Sequence, residues 1–184
     1  KAKLNDLHAT FLEPSAGEGA FLTEILDQKL NYVDQISHKN SWCDNAMWAL
    51  MSIYAIELLT DNIIVARDLM MQIVQAHYQA FFDKKLTIRT NFFKSAKFVI
   101  KTNVVQGNSL TYLNNEGSPI TFSDWNPADK NMVKREEYTY RSLFDNEADD
   151  VTQGQLSLFD LDDDQEEKGY KVCPVTKIYK EEKE

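Results

Sequence analysis

An α/β fold built on a mostly parallel sheet is the architecture this sequence predicts, and three observations lead to it. Short apolar runs suited to buried strands alternate with longer stretches whose apolar residues recur at helical spacing. A glycine turn, Gly17-Glu18-Gly19, joins the first such run directly to a helical pattern. With 184 residues and 43% hydrophobic content the chain can bury one sizeable core, and residues 1–143 are read as that single unit.

The elements follow in order. A strand near 9–13 has Phe11 and Leu12 as its buried centre. Phe21, Leu22, Ile25, Leu26, Leu30 and Val33 then define one face of a helix from about 19 to 35. A further helix is expected near 43–51, and Ile53 to Leu58 reads as a buried strand near 52–58 that carries a carboxylate, Glu57, toward its end. Thr60 or Asp61 caps a long helix from about 61 to 82, with Ile63, Ala66, Met70, Ile73, Val74 and His77 on one face. His77 is read there as a half-buried helix residue rather than a ligand. Strands near 98–106 and 119–123 come next, followed by an irregular polar region. Residues 144–168 form an acidic, flexible segment. Residues 169–184 hold an alternating stretch, Tyr170 to Tyr179, that reads as a terminal strand with a solvated end.

The glycine turn is where function is expected. Gly17 and Gly19 permit positive φ and close backbone approach, and in open α/β sheets ligands sit at strand ends against such helix starts. An ordinary βα turn uses the same two glycines, so the residues before them matter. Glu13-Pro14-Ser15-Ala16-Gly17-Glu18-Gly19-Ala20-Phe21-Leu22 closely resembles the cofactor loop of S-adenosylmethionine-dependent DNA methyltransferases of the adenine-N6, restriction-modification type. The resemblance implies a Rossmann-like methyltransferase core with S-adenosylmethionine as cofactor. Glu13, Pro14, Ser15, Ala16, Gly17, Gly19 and Phe21 would shape its pocket. Glu57 matches the acidic residue that accepts hydrogen bonds from the ribose hydroxyls. It stands 44 residues after Glu13, longer than the spacing of about 20 in dinucleotide fingerprints. Asn108, ending Asn103-Val104-Val105-Gln106-Gly107-Asn108, resembles the third motif beside the cofactor adenine; a Gly-Asn pair is also a common turn.

The family's fourth motif, Asn/Asp/Ser-Pro-Pro-aromatic, has no full counterpart, since the chain contains no Pro-Pro. At the expected place stands Pro119-Ile120-Thr121-Phe122-Ser123-Asp124-Trp125-Asn126-Pro127. Asp124 and Asn126 are the candidate acceptors for the target amine and Trp125 the candidate stacking ring; an ordinary strand exit with a packed Trp is the plain alternative. A Phe-Thr-Pro segment upstream of the first motif is also missing before Phe11, which suggests a processed or truncated polypeptide.

Charge and composition bound the partners. The net charge is -9, but residues 145–184 hold 13 acidic and 5 basic residues, leaving 16 acidic and 15 basic in the rest. The nearly neutral part carries Lys84, Lys85, Arg89, Lys94, Lys97 and Lys101, then Lys130, Lys134, Arg135 and Arg141, which either follow DNA phosphates or form a solvated surface. In the acidic segment, Gln155-Leu156-Ser157-Leu158-Phe159 closely resembles the consensus by which bacterial DNA-processing proteins dock on the replisome's sliding clamp. Leu156, Leu158, Phe159 and Leu161 could instead pack back as an edge strand. Cys43, Cys173, His8, His38 and His77 are scattered, so no metal site is expected. No apolar run approaches a membrane span and no secretory leader opens the chain, so a cytoplasmic location is expected. The resulting expectation is a DNA adenine-N6 methyltransferase or its modification subunit, partnered with DNA and a specificity or restriction subunit. A non-catalytic cofactor-binding or docking module is the alternative, and RNA or protein remains open as substrate.

Overall fold

In the computed structural model, residues 4–129, 131–145 and 169–183 are described. The first half is an α/β unit. Strand β1 is Phe11–Glu13, followed by α1 (Ala20–Ile36) and α2 (Trp42–Met51). Strand β2 (Ile53–Glu57) leads to α3 (Thr60–Phe82), α4 (Asn91–Asn103) and β3 (Val104–Gln106). The three strands form a parallel sheet in the order β1-β2-β3, with Leu12 opposite Tyr54 and Ile56 opposite Val105. As the central strand, β2 is buried along its whole length, which is why its sequence is apolar without alternation until Glu57.

The expected strand near 98–106 shrinks to Val104–Gln106, because α4 occupies everything before it. Phe92, Ala96, Val99, Ile100 and Asn103 are buried on one side of that helix, a 3.6-residue rhythm that outweighs the β-branched run at its end. Thr90 caps it by accepting from the Phe93 N–H at 3.2 Å.

The sheet is not mostly parallel throughout the chain. Strand β4 (Thr121–Pro127) runs antiparallel to β5 (Met132–Thr139), and a two-residue β6 (Cys173–Pro174) completes a separate antiparallel sheet in the order β4-β5-β6. The region expected to be irregular and polar is therefore β5. Its charges are satisfied in place: Lys134 pairs with Glu136 at 3.2 Å and Arg135 with Glu137 at 2.8 Å. After β5 comes a single turn, α5 (Ser142–Asp145). The expected terminal strand is limited to β6, and Val175–Lys180 forms a 3-10 turn instead.

Both sheets share one core. Trp42 is fully buried, with the rings of Tyr78, Phe81, Phe82 and Phe92 all within 5.8 Å of it, so α2, α3 and α4 meet around one indole. The antiparallel sheet joins through Tyr54 of β2, whose ring meets Phe122 edge-on at 5.4 Å and whose hydroxyl donates to the Ser123 carbonyl at 2.8 Å. His77 bridges α3 to α1, with Nδ1 2.7 Å from Asp34 Oδ2 and Nε2 3.1 Å from Asp27 Oδ1. No helix among the described residues is long and apolar enough to cross a membrane.

Candidate functional site

The carboxyl ends of β1, β2 and β3 form one corner with the start of α1. After β1 the chain turns sharply: the Glu13 carboxylate accepts from the Ser15 N–H at 3.0 Å, and the Ala16 N–H donates to the Ile56 carbonyl at 3.0 Å. Gly17 and Gly19 both lie in the left-handed region, at φ 55° and 86°. A Cβ on Gly19 would come within 2.7 Å of the Ala66 Cβ, so glycine is required for α1 to start against α3. Gly17 has open space where its Cβ would point.

Glu57 closes this corner. Its carboxylate accepts from the Gly17 N–H at 2.7 Å, the Leu59 N–H at 2.9 Å and the Asn62 amide at 3.2 Å. Burial acts to raise its pKa, but these donors outweigh that and hold the carboxyl below its ordinary value, so it stays ionised. Asn62 and the Leu59 amide were not singled out from sequence. The available signal was position, since Asn62 lies in the first turn of the helix that follows Glu57. Phe21, Leu58 and Leu59, the apolar residues flanking the loop and Glu57, are exposed.

Beside Glu57, Gln106 donates to the Leu58 carbonyl at 3.2 Å and to the Thr60 hydroxyl at 2.7 Å, tying β3 to the start of α3. The Gly107 N–H donates to the Glu57 carbonyl at 3.0 Å. Asn108 therefore reaches the same edge as Glu57, and it also makes a turn: Oδ1 accepts from the Leu110 N–H at 2.9 Å. The structure thus gathers Glu13, Pro14, Ser15, Ala16, Gly17, Gly19, Phe21, Glu57 and Asn108 at the carboxyl end of the parallel sheet.

Asp124, Trp125 and Asn126 are elsewhere. Trp125 is buried and its Nε1 donates to Asn103 Oδ1 at 3.0 Å, while Asn103 Nδ2 donates to the Met51 carbonyl at 3.2 Å. Asn103 precedes β3 and Met51 precedes β2, so this trio sits at the amino ends of the parallel strands. Four residue steps along β2 separate that end from Glu57, about 13 Å. The expected grouping of Asp124, Trp125 and Asn126 with the glycine loop does not form, because β4 pairs with β5 instead of extending the parallel sheet. Burial pushes the Asp124 carboxyl up to about 6, with the charge of Glu136 adding to it; the Asn126 side chain and the Trp125 N–H oppose the rise.

Arg135 is also withdrawn from any phosphate-binding role. It is buried, donates to Ser123 Oγ at 2.7 Å and pairs with Glu137 and Glu181. The Gln155-Leu156-Ser157-Leu158-Phe159 motif lies outside the described residues, as does Lys130. Comparison with protein-family models, with curated proteins and with solved structures gives no match to this chain.

Proposed function

We propose that this chain binds S-adenosylmethionine at the Gly17 corner and serves as a DNA adenine-N6 methyltransferase or as the modification subunit of a bacterial restriction-modification system. The observation that carries the reading is the Gly17–Glu57 contact: a glycine loop at the end of one strand is held by a carboxylate at the end of the next. Strand order β1-β2-β3 with β2 central is consistent with a Rossmann-like arrangement. The residues present fit the cofactor: Glu57 is ionised and able to accept hydroxyl donors, the space over Gly17 is open, and Asn108 lies at the same edge. Such a cofactor would supply an electrophilic methyl group on sulfur for transfer to the exocyclic nitrogen of adenine. The protein's own part is orientation: Glu57 and Asn108 hold the nucleoside, and the exposed Phe21 and Leu58 cover apolar surface.

A second reading is a non-catalytic cofactor-binding or docking module. The separation of Asp124, Trp125 and Asn126 from the Gly17 corner favours it, since these were the residues expected to receive the amine. Calorimetric titration with S-adenosylmethionine tests the shared premise. Wild type should bind and Glu57→Gln should bind at least about ten-fold more weakly, the loss of roughly 1.4 kcal/mol; absence of binding by wild type rejects the methyltransferase and the cofactor-binding module and leaves the docking module. Transfer of labelled methyl groups to adenine-containing DNA then separates them, because binding without transfer selects the module.

A further inference from the structure

A cavity of about 230 Å3 opens at the amino ends of the parallel strands, away from the Gly17 corner, and His8, Trp48, Tyr54, Asp124 and Asn126 are among its lining. We infer that this cavity binds an organic cation, an alkylammonium or guanidinium head, against the Trp48 ring with the Asp124 carboxylate as its counter-ion.

Three features of the cavity select that chemistry. Aromatic faces attract cations, and Trp48 and His8, whose ring centroids are 5.0 Å apart, both line the cavity. Asp124 is drawn out of water there, and the carboxylate facing it across the hairpin is a second acid, Glu136. Lys134 offsets the charge of Glu136, and the Asp124 charge disfavours an anionic guest and leaves a neutral one with no advantage. A bound cation instead restores to Asp124 the stabilisation that burial removes. Asn126 keeps the second acid in place, donating to Glu136 Oε2 at 3.1 Å, while Lys134 pairs with its other oxygen at 3.2 Å. Met51 and Pro127 supply apolar wall for the stem of a cationic side chain or a polyamine. The volume accommodates a guanidinium head with part of its stem. The cavity and the Gly17 corner are separate sites that share no residue.

The test uses the full chain and follows the Trp48 indole resonance and the Asp124 carboxyl carbon by NMR. Probes are 1,4-diaminobutane for a free polyamine and N-acetyl-arginine methylamide for a protein side chain, with N-acetyl-citrulline methylamide as the neutral isostere. At least one cation should shift both signals saturably, and the citrulline compound should bind at least about ten-fold more weakly than the arginine compound. Preference for the diamine identifies a free polyamine, and preference for the arginine compound identifies a protein partner. Asp124→Asn should weaken binding at least about ten-fold. The charged and polar groups around Asp124 are Lys134, Glu136 and Tyr138 on β5, Tyr54 on β2 and His8 before β1, so the acid side of the profile is measured in a His8→Phe background that keeps a ring and removes the imidazole. There, binding should fall as pH drops through about 6, and saturating cation should lower the Asp124 midpoint. Equal binding of the citrulline compound, unchanged affinity in Asp124→Asn, or an Asp124 midpoint indifferent to the cation would overturn the inference. The last readout needs only the His8→Phe chain and stands even where the Asp124 variant is unstable.

Discussion

Lys29 has no exposed surface, and its ammonium donates to the carbonyls of Asp6 at 2.9 Å and Ala9 at 2.8 Å and to Ser52 Oγ at 2.7 Å. One helix residue thereby pins the segment before β1 to the turn before β2. Burial lowers its pKa to about 8, with Asp6 acting in the opposite direction. Since the unfolded lysine then holds its proton more tightly than the folded one, this group favours folding increasingly as pH rises from about 8 toward 10.5. Cys43 works in the opposite sense, because burial pushes its thiol up to about 11. The stability difference between wild type and Lys29→Met isolates the lysine: it should widen between pH 8 and pH 10, by up to roughly 2 kcal/mol in denaturant titrations. A difference independent of pH would mean that the ammonium is not held as described. Asp124 carries a folded pKa raised above that of the unfolded chain, so it costs stability as pH rises from about 4 through 6. Asp124→Asn should therefore raise stability at pH 7 by about 1 kcal/mol, a value reduced for solvent reaching the carboxyl, and should have no such benefit at pH 4.

At the scale of elements, contacts between neighbours decide where helices and strands begin. Gly19 is the point where α1 meets α3, and Gly19→Ala combines a clash against Ala66 with a strained left-handed backbone. We expect a loss of about 2 to 4 kcal/mol. Pairing it with Ala66→Gly should recover only the clash made by the Ala66 Cβ, because the Ala66 Cα also lies 2.9 Å from the added atom; full recovery in thermal unfolding would show that the backbone is unstrained. Asn103 joins three elements through Met51 and Trp125. Asn103→Ala strands the Trp125 N–H and the Met51 carbonyl, for an expected cost of about 2 to 3 kcal/mol. A double-mutant cycle with Trp125→Phe should show coupling of about 1 kcal/mol; purely additive effects would contradict the shared hydrogen bond. Neither α4 nor β5 was read from the sequence as it folds. In α4 the run Phe98-Val99-Ile100 suggested a strand, and only packing of Phe92, Ala96 and Val99 on one side reveals the helix. In β5 the stretch Lys134-Arg135-Glu136-Glu137 offers no apolar alternation; its partners lie along the preceding β4 and, remote in sequence, in residues 169–183.

Across the whole molecule, the segment 169–183 closes the second sheet and covers α4. Val175 and Ile178 are buried, Tyr179 donates to Asn91 at 2.8 Å, and the Arg135 guanidinium lies 4.5 Å over the Tyr170 ring. Replacing Arg135 by Met leaves Glu181 buried beside a missing partner, with an expected cost of about 3 kcal/mol. Amide exchange should accelerate first in residues 170–183 and in β5, ahead of β2; uniform acceleration would show that the two sheets unfold as one cooperative unit instead.

The local grammar of the chain was legible in its residues. Gly17 and Gly19 specify a tight turn, the apolar spacing from Leu22 to Val33 specifies α1, although Phe21, expected on the same face, is exposed, and Ile53 to Glu57 specifies a buried strand ending in an acid, because each depends only on neighbours a few positions apart. What Glu57 holds, which end of the sheet receives Asp124 and Trp125, and how β4 pairs were decided by tertiary structure. The first two depend on hydrogen bonds between groups 40 and 22 residues apart, and the third on a hairpin whose second strand shows no apolar alternation; a strand's sequence carries its faces but not the identity of its partner.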